Sequence, residues 1–298
     1  MNELAGPVRR QTENGLLLNQ AYRNLLKSNG LLDFATIYRF QGGEIVKNIS
    51  SRSVVRIELG APDTHVLYLK RHGPEKINAF SSPPFFNFSG VLSQGRLEFE
   101  NICEFRENSI STVTPVACGE HRIHSNRFES FVLTEDFHPW ISLEEMIRDH
   151  PEFFQGCEGI RRKKALLRKL GRLARKMHEA GFNHRDFNAT HILLRYTDGG
   201  ELHDPALFDL QRVDRKRIFR FRWMIKALAE LNYSLPEELF TPEDRLRLFQ
   251  AYQGKTAFNL WNQFQCIWIR RKTLRISRHT DHMMAKRARR RRKGLPER

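Results

Sequence analysis

Between residues 42 and 72 short apolar runs alternate with turn material. The runs "GGEIVKN" (42–48), "SVVRIEL" (53–59) and "HVLYLKRH" (65–72) are rich in Val, Ile, Leu and Tyr, and "ISSR" and "GAPDT" separate them. β-Branched and aromatic runs bounded by Gly, Pro, Ser and Asp predict a three-strand antiparallel meander. The first forty residues predict one short helix, "NQAYRNLLKSNG", stopped at Gly30. Residues 73–95, rich in Gly, Pro, Ser and Phe, predict a loop. "RLEFENICEFREN" (96–108) sets Leu97, Ile102 and Phe105 at helical spacing, and "TPVACGEH" and "SFVLTEDF" predict two further strands.

After Pro139 the pattern turns helical. "SLEEMIRDH" opens with a Ser that can cap and a Glu three residues later. "RRKKALLRKLGRLARKMHEAG" (161–181) sets Leu166, Leu167, Leu170, Leu173, Ala174 and Met177 on one stripe, with Lys and Arg opposite and Gly181 as its stop. "HILLR" and "ALFDLQRV" predict two apolar strands joined by "YTDGGELHDP", with Gly199 and Gly200 at the turn. Residues 218–275 are helical in character. The fold class predicted is α+β: a strand-rich N-terminal lobe over 1–137, a helical lobe over 138–275, and a basic tail over 276–298 too polar to bury a core and expected to be disordered.

Composition changes this picture in one respect. The 298 residues carry a formal charge of +16, with a pI near 10.1. Such an excess implies an anionic partner: nucleic acid, a phosphorylated glycolipid or an anionic membrane surface. The tail lacks an aromatic-interleaved groove or a reader fold, which argues against specific nucleic-acid readout. Cys103, Cys118, Cys157 and Cys266 are scattered without a CxxC pair and read as ordinary thiols, compatible with a reducing cytosol. "MNELAGPVRRQTENG" has no apolar signal region, and no run approaches the ~20 apolar residues of a spanning helix.

The polar residues at element ends carry the chemistry. Lys70 ends the third strand, Glu98 lies on the helix of the first lobe, Asp186 follows the long helix within "NHRDFNATH", and Asp209 closes a buried strand. A strand Lys held by a helix Glu can pair with the α- and β-phosphates of a nucleotide. A loop Asp can accept the proton of an attacking hydroxyl, and a strand-end Asp can ligate magnesium. Glu100 competes with Glu98, because helix phase separates the two only weakly. His184 is expected to pack and hydrogen-bond in the loop, and His72, His121 and His124 to be ordinary surface or loop histidines.

The segments "LEFENI", "ISTVTPVACGE", "FVLTEDF", "ISLEEMI", "MHEAGFNHRDFNATHILL", "LFDLQRV" and "RFRWMIKALAELNYS" resemble the bacterial lipopolysaccharide kinase family (Kdo/WaaP type, InaA-like), of the protein-kinase-like superfamily. The resemblance spans residues 95 to 252. It implies a two-lobe kinase fold, ATP and Mg2+ as cofactors, and phosphorylation of a heptose or Kdo hydroxyl of the lipopolysaccharide inner core. The place of work implied is cytoplasmic, peripheral at the inner face of the inner membrane, with the basic tail on the anionic surface. It further implies Asp186 as catalytic base or hydroxyl orienter, Asp209 and His191 at the metal, and Lys70 with Glu98 as the ATP-positioning pair. Glu135 and Asp136 would offer backbone groups to adenine, and the Gly42–Gly43 turn would cover the phosphates. "DLQ" replaces the DFG of protein kinases, and no APE segment follows, which points away from a peptide acceptor. An Asp expected near Ala227, bracing the catalytic loop, is missing. A protein or small-molecule kinase of the same fold, or a non-catalytic scaffold at an anionic surface, are the competing readings.

Overall fold

The computed structural model describes residues 6–49, 51–60, 63–76, 92–124, 127–197, 201–215, 220–255 and 259–292. The chain divides into two compact units, Met1–Pro139 with Ala206–Val213, and Trp140–Pro205 with Asp214–Arg298. The first unit is therefore not contiguous. Residues 206–213 join it because Leu207 donates its N–H to the Ser111 carbonyl at 2.9 Å, and the Asn101 amide reaches the carbonyls of Leu210 (2.8 Å) and Val213 (3.3 Å).

The first unit contains β1 (Arg10–Glu13), β2 (Leu16–Asn19), α1 (Arg23–Ser28), α2 (Phe34–Tyr38), β3 (Glu44–Ile49), β4 (Arg52–Leu59), β5 (His65–Lys76), α3 (Gln94–Glu107), β6 (Pro115–His124) and β7 (Arg127–Glu135). The strands form one antiparallel sheet in the order β1-β2-β6-β7-β5-β4-β3. The meander appears as predicted. The first forty residues hold more than the single helix expected: β1, β2 and α2 are four- or five-residue elements, too short for periodicity to reveal. Of the predicted 73–95 loop, 73–76 extend β5, 94 and 95 begin α3, and 77–91 lie outside the described residues.

Period-two alternation splits the sheet into two faces. Leu16, Leu18, Leu67, Leu69, Ala117, Phe131 and Leu133 face α1 and α2, burying Leu25, Leu26 and Ile37 with them. Cys118 and Val132 point the other way, onto Phe99 and Cys103 of α3. Lys70 and His72, one residue out of phase with Leu67 and Leu69, take the α3 side. Helix α3 starts close on the sheet: a Cβ at Gly95 would lie 2.5 Å from the Phe131 carbonyl oxygen. Its buried face carries Glu98, Phe99, Ile102, Cys103 and Phe105, and Phe99 replaces the predicted Leu97, which is half-buried.

The second unit contains β8 (Ile141–Ser142), α4 (Leu143–Asp149), α5 (Gly156–Glu179), β9 (Phe182–His184) and β10 (Ile192–Leu194). After β11 (Ala206–Leu207), which belongs to the first unit, and β12 (Val213–Arg215) come α6 (Arg220–Ser234), α7 (Pro242–Gln253) and α8 (Leu260–Arg292). Ser142 caps α4 by accepting the Glu145 N–H at 3.0 Å. The predicted stripe of α5 is buried in full: Leu166, Leu167, Leu170, Leu173, Ala174 and Met177. Gly171 brings α5 onto α7, since a Cβ there would sit 2.5 Å from the Leu248 carbonyl oxygen. The buried Lys163 ammonium lies 2.8 Å from Asp244, whose carboxylate also completes a capping box with Thr241 at the start of α7. The predicted turn glycines Gly199 and Gly200 lie outside the described residues.

Residues 276–292 are helix and not the disordered tail expected of them. Residues 283–292 are Met, Ala, Lys and Arg, good helix formers, and the arginines at 289–292 sit where the helix dipole favours cations. Residues 293–298 lie outside the described residues.

Candidate active site

In the first unit three of the singled-out residues meet. The Lys70 ammonium lies 2.7 Å from Glu98 Oε2 and 2.5 Å from Asp209 Oδ1. Each is delivered by its own element: Lys70 by strand alternation in β5, Glu98 by the buried face of α3, Asp209 by the turn after β11. Asn101, one helical turn after Glu98, holds that turn by its carbonyls and so fixes Asp209 relative to Glu98. Glu100 faces elsewhere, accepting from Arg10 at 2.8 Å, which settles Glu98 as the partner of Lys70. Asp209 has φ +55°, the left-handed region that non-glycine residues occupy at a cost of about 1–3 kcal/mol when the surroundings enforce it.

A fourth group, which the sequence did not mark, completes the cluster. Arg52, at the start of β4, donates to Asp209 Oδ2 at 3.3 Å and to Gln211 Oε1 at 3.1 Å. Two cations and two carboxylates thus gather in one place. Burial pushes the Glu98 carboxyl above the usual carboxylate range; the Lys70 ammonium pulls it back and the Asp209 charge adds to the rise. His72 is buried, against the expectation of a surface histidine, because alternation carries it to the α3 side two residues after Lys70. Burial and the charges of Lys70 and Arg52 hold its imidazole at about 3, so it is neutral at physiological pH.

Two further expectations in this unit concern backbone groups. Gly42 and Gly43 lie just before β3, and Glu44 at its start pairs with Arg56. Gly43, at φ +108°, is glycine because a Cβ would meet the Arg56 carbonyl oxygen at 2.3 Å, so the residue serves close strand packing. At the end of β7 the N–H groups of Glu135 and Asp136 are already donated, to the carbonyls of Thr114 and Val66, both at 2.9 Å. Beside them Phe137 stacks on Tyr68 (centroids 5.9 Å) and meets Phe208 (5.4 Å), the residue before Asp209.

In the second unit β9 delivers the loop that carries Asp186 and His191. His184, 1% exposed, accepts the Asp186 N–H on Nδ1 at 3.1 Å, a packing and hydrogen-bonding role as predicted. His191 Nδ1 lies 3.0 Å from the Asp186 carbonyl oxygen and 3.2 Å from Asn188 Oδ1. A carbonyl can only accept, so Nδ1 carries a proton and donates it within the loop. Asn188 also caps the turn 189–191 by accepting the Thr190 N–H.

The bracing predicted from an Asp near Ala227 comes from other side chains. Lys226 donates to the Arg185 carbonyl at 2.5 Å, and Ser234 Oγ accepts the Ala189 N–H at 2.9 Å; both lie on α6. Arg185 itself is clamped by Asp214 through Nε at 2.8 Å and through the second nitrogen at 2.7 Å. An acidic brace accepts from loop N–H groups, whereas Lys226 reaches the same loop through a carbonyl. A half-buried carboxylate on a loop so fixed can accept a proton from a positioned hydroxyl.

The donor set fits a magnesium-bound nucleotide in part. Asp209 offers hard carboxylate oxygens, and Mg2+ commonly takes one or two carboxylates with substrate phosphates and waters. Lys70 and Arg52 are the cations a triphosphate would draw on. Among the described residues no group of three His, Cys, Asp or Glu side chains could hold a metal alone. A metal on Asp209 would need phosphate or water oxygens to complete its shell.

Comparison with known proteins gives the same reading from a different direction. The chain is 29% identical over 240 residues to the lipopolysaccharide core heptose(I) kinase WaaP of Pseudomonas aeruginosa, covering 80% of this chain and 85% of the relative. It is 28% identical over 223 residues to the WaaP of Escherichia coli K12, covering 74% and 81%. The solved structure of WaaP in complex with acyl carrier protein superposes with a TM-score of 0.65 at 24% identity, over 87% of this chain and 98% of that one, which shows the α+β, two-lobe kinase-like fold. The lipopolysaccharide kinase (Kdo/WaaP) family model matches residues 90–252, more than half of the chain and the stretch that holds Glu98, Asp186, His191 and Asp209. With fold, ion cluster and matched segment in agreement, the chain belongs to the lipopolysaccharide kinase (Kdo/WaaP) family.

Proposed function

We propose that the protein transfers a phosphoryl group from ATP, with Mg2+, to a sugar hydroxyl of the lipopolysaccharide inner core, heptose in preference to Kdo. The Lys70–Glu98 pair with Asp209 on the same ammonium carries the reading. A strand lysine held by a buried helix glutamate is the recurring device for orienting nucleotide phosphates. Heptose is favoured because the relatives at 27–29% identity are named heptose(I) kinases.

In this reaction Lys70 and Arg52 bind phosphate oxygens and Glu98 keeps Lys70 extended. Asp209 holds the metal, which neutralises phosphate charge when bound. Asp186 orients the sugar hydroxyl and takes its proton. His191, anchored through Nδ1 to the Asp186 carbonyl, stands with the metal or orders the loop that carries Asp186. Only ten residues separate Asp209 from Arg220 at the start of α6, too few for a peptide-binding activation segment, and this favours a sugar over a protein acceptor. The acceptor is lipid-linked, so the proposed place of work is the cytoplasmic face of the inner membrane, where a chain of charge +16 is attracted to anionic lipid.

The test is phosphorus analysis of core glycolipid from cells with and without the chain, beside purified protein given ATP, Mg2+ and dephosphorylated core. Phosphate appearing on heptose, and lost with Asp186→Ala, is the expected result. Autophosphorylation without transfer to glycolipid would favour a protein kinase. Absence of any thermal stabilisation by Mg-ATP would favour a scaffold.

A further inference from the structure

Helix α8 runs for 33 residues, and only one side of it is packed within its unit. Asn262 and Gln265 are buried, and Thr273 accepts from Asn232 of α6 at 3.0 Å. The opposite side carries Leu260 (82% exposed), Trp261 (55%), Phe264 (41%), Ile267 (50%) and Trp268 (42%). The rings form one cluster with Phe221 of α6: Phe221–Trp261 5.4 Å, Trp261–Phe264 5.3 Å and Phe264–Trp268 5.9 Å between centroids. Trp261, Phe264, Trp268, Arg271, Arg275 and Arg278 follow i, i+3, i+4 spacing, so aromatic and basic residues share one stripe. Arg271 lies 6.0 Å over the Trp268 ring. Over Leu260–Arg292 the sequence has eleven Lys or Arg and one acid, Asp281.

We infer that this face of α8 is a membrane-docking surface, its aromatic end inserting among the headgroups of anionic lipid and its arginines meeting the phosphates. Trp and Phe with flanking Arg suit the boundary of headgroup and acyl chain, because the rings need partial burial and the long cations reach back to water. Eleven Lys or Arg against one acid along the same helix complement an anionic lipid surface. No helix of the described residues is long and apolar enough to cross a membrane, so contact is by one face only. The inference deepens the reading of a lipid-linked acceptor, but its test does not use catalysis.

The full chain is mixed with phosphatidylcholine vesicles carrying no or about one-third phosphatidylglycerol, with brominated lipid as a depth quencher. Expected are binding to anionic vesicles only, and quenching of Trp fluorescence. The conservative Trp261→Phe, Trp268→Phe double variant should bind but lose most quenching, since Trp140 is buried and Trp223 half-buried. Trp261→Ser, Phe264→Ser, Ile267→Ser together should weaken binding about tenfold or more. The inference is overturned if wild-type protein binds without quenching, or if the triple variant binds equally well. It is also overturned if the face instead mediates a dimer that the triple variant abolishes, or captures an acidic carrier protein in preference to vesicles.

Discussion

Lys226 on α6 donates to the main-chain carbonyl of Arg185, the residue before Asp186, at 2.5 Å. The catalytic loop is thus braced through a carbonyl by a cation. Lys226→Met removes a charge-assisted bond of the kind worth about 1.5–3 kcal/mol. Steady-state kinetics should show kcat down roughly 10- to 100-fold with KM for ATP little changed. Lys226→Arg should recover part of the loss, whereas a residue serving only the packing of α6 would move the melting temperature and leave kcat alone.

The Lys70–Glu98 pair gives a second expectation. Glu98→Gln leaves the shape intact but lets Lys70 settle on Asp209 alone. ATP affinity, read by calorimetry, should fall by about 2 kcal/mol, or roughly 30-fold. Lys70→Met should abolish the thermal shift caused by Mg-ATP. An unchanged shift in both variants would remove the pair from nucleotide binding.

Asp186→Ala should behave differently. Its side chain meets the acceptor in the proposed reaction, so ATP binding should persist while turnover drops about 10²- to 10⁴-fold. Calorimetry beside a phosphate-transfer assay separates the two effects.

Two histidines predict acid sensitivity. His72, buried, is held at about 3, and half-buried His178, beside Arg220, at about 4. Unfolded, each returns to about 6.5. Between these values the unfolded chain binds more protons, so stability rises with pH and is lost as pH falls from about 6.5. The slope is up to about 1.4 kcal/mol per pH unit for each histidine. Denaturant midpoints measured from pH 7 to 5 should fall, and His178→Gln should flatten the curve.

Gly95→Ala places a methyl 2.5 Å from the Phe131 carbonyl oxygen, and only backbone movement can relieve it. Helix α3 must lift, taking Glu98 with it. A loss of about 1–3 kcal/mol in stability and a raised KM for ATP are expected together; a stability loss with normal KM would show that the helix start moves independently of Glu98.

Long periodic segments were legible from sequence. The stripe of α5 emerges residue for residue, because six apolar side chains over twelve positions leave one helix face to choose. Lys70 meets Glu98, the pairing that the resemblance implied; alternation in β5 carries Lys70 to the α3 side, whereas helix phase alone did not separate Glu98 from Glu100. What escaped were contacts made by groups common on any surface. Arg52 and Asn101 act through tertiary neighbours more than a hundred residues away in the chain, and nothing local marks them. The glycine pair at 42 and 43 signals special backbone without saying that a neighbouring strand needs the space at Gly43. The C-terminal arginines were misread because composition reports the missing core but not helix propensity.

Lys70 and Arg52 both rest on Asp209. In the proposed reaction a triphosphate would therefore not meet bare positive charge; it would exchange one anion for another, and the aspartate it releases would be freed for a divalent ion. Binding of phosphate and recruitment of metal become two halves of a single swap, and a weak visitor such as inorganic phosphate must outbid a tethered carboxylate before it can lodge there.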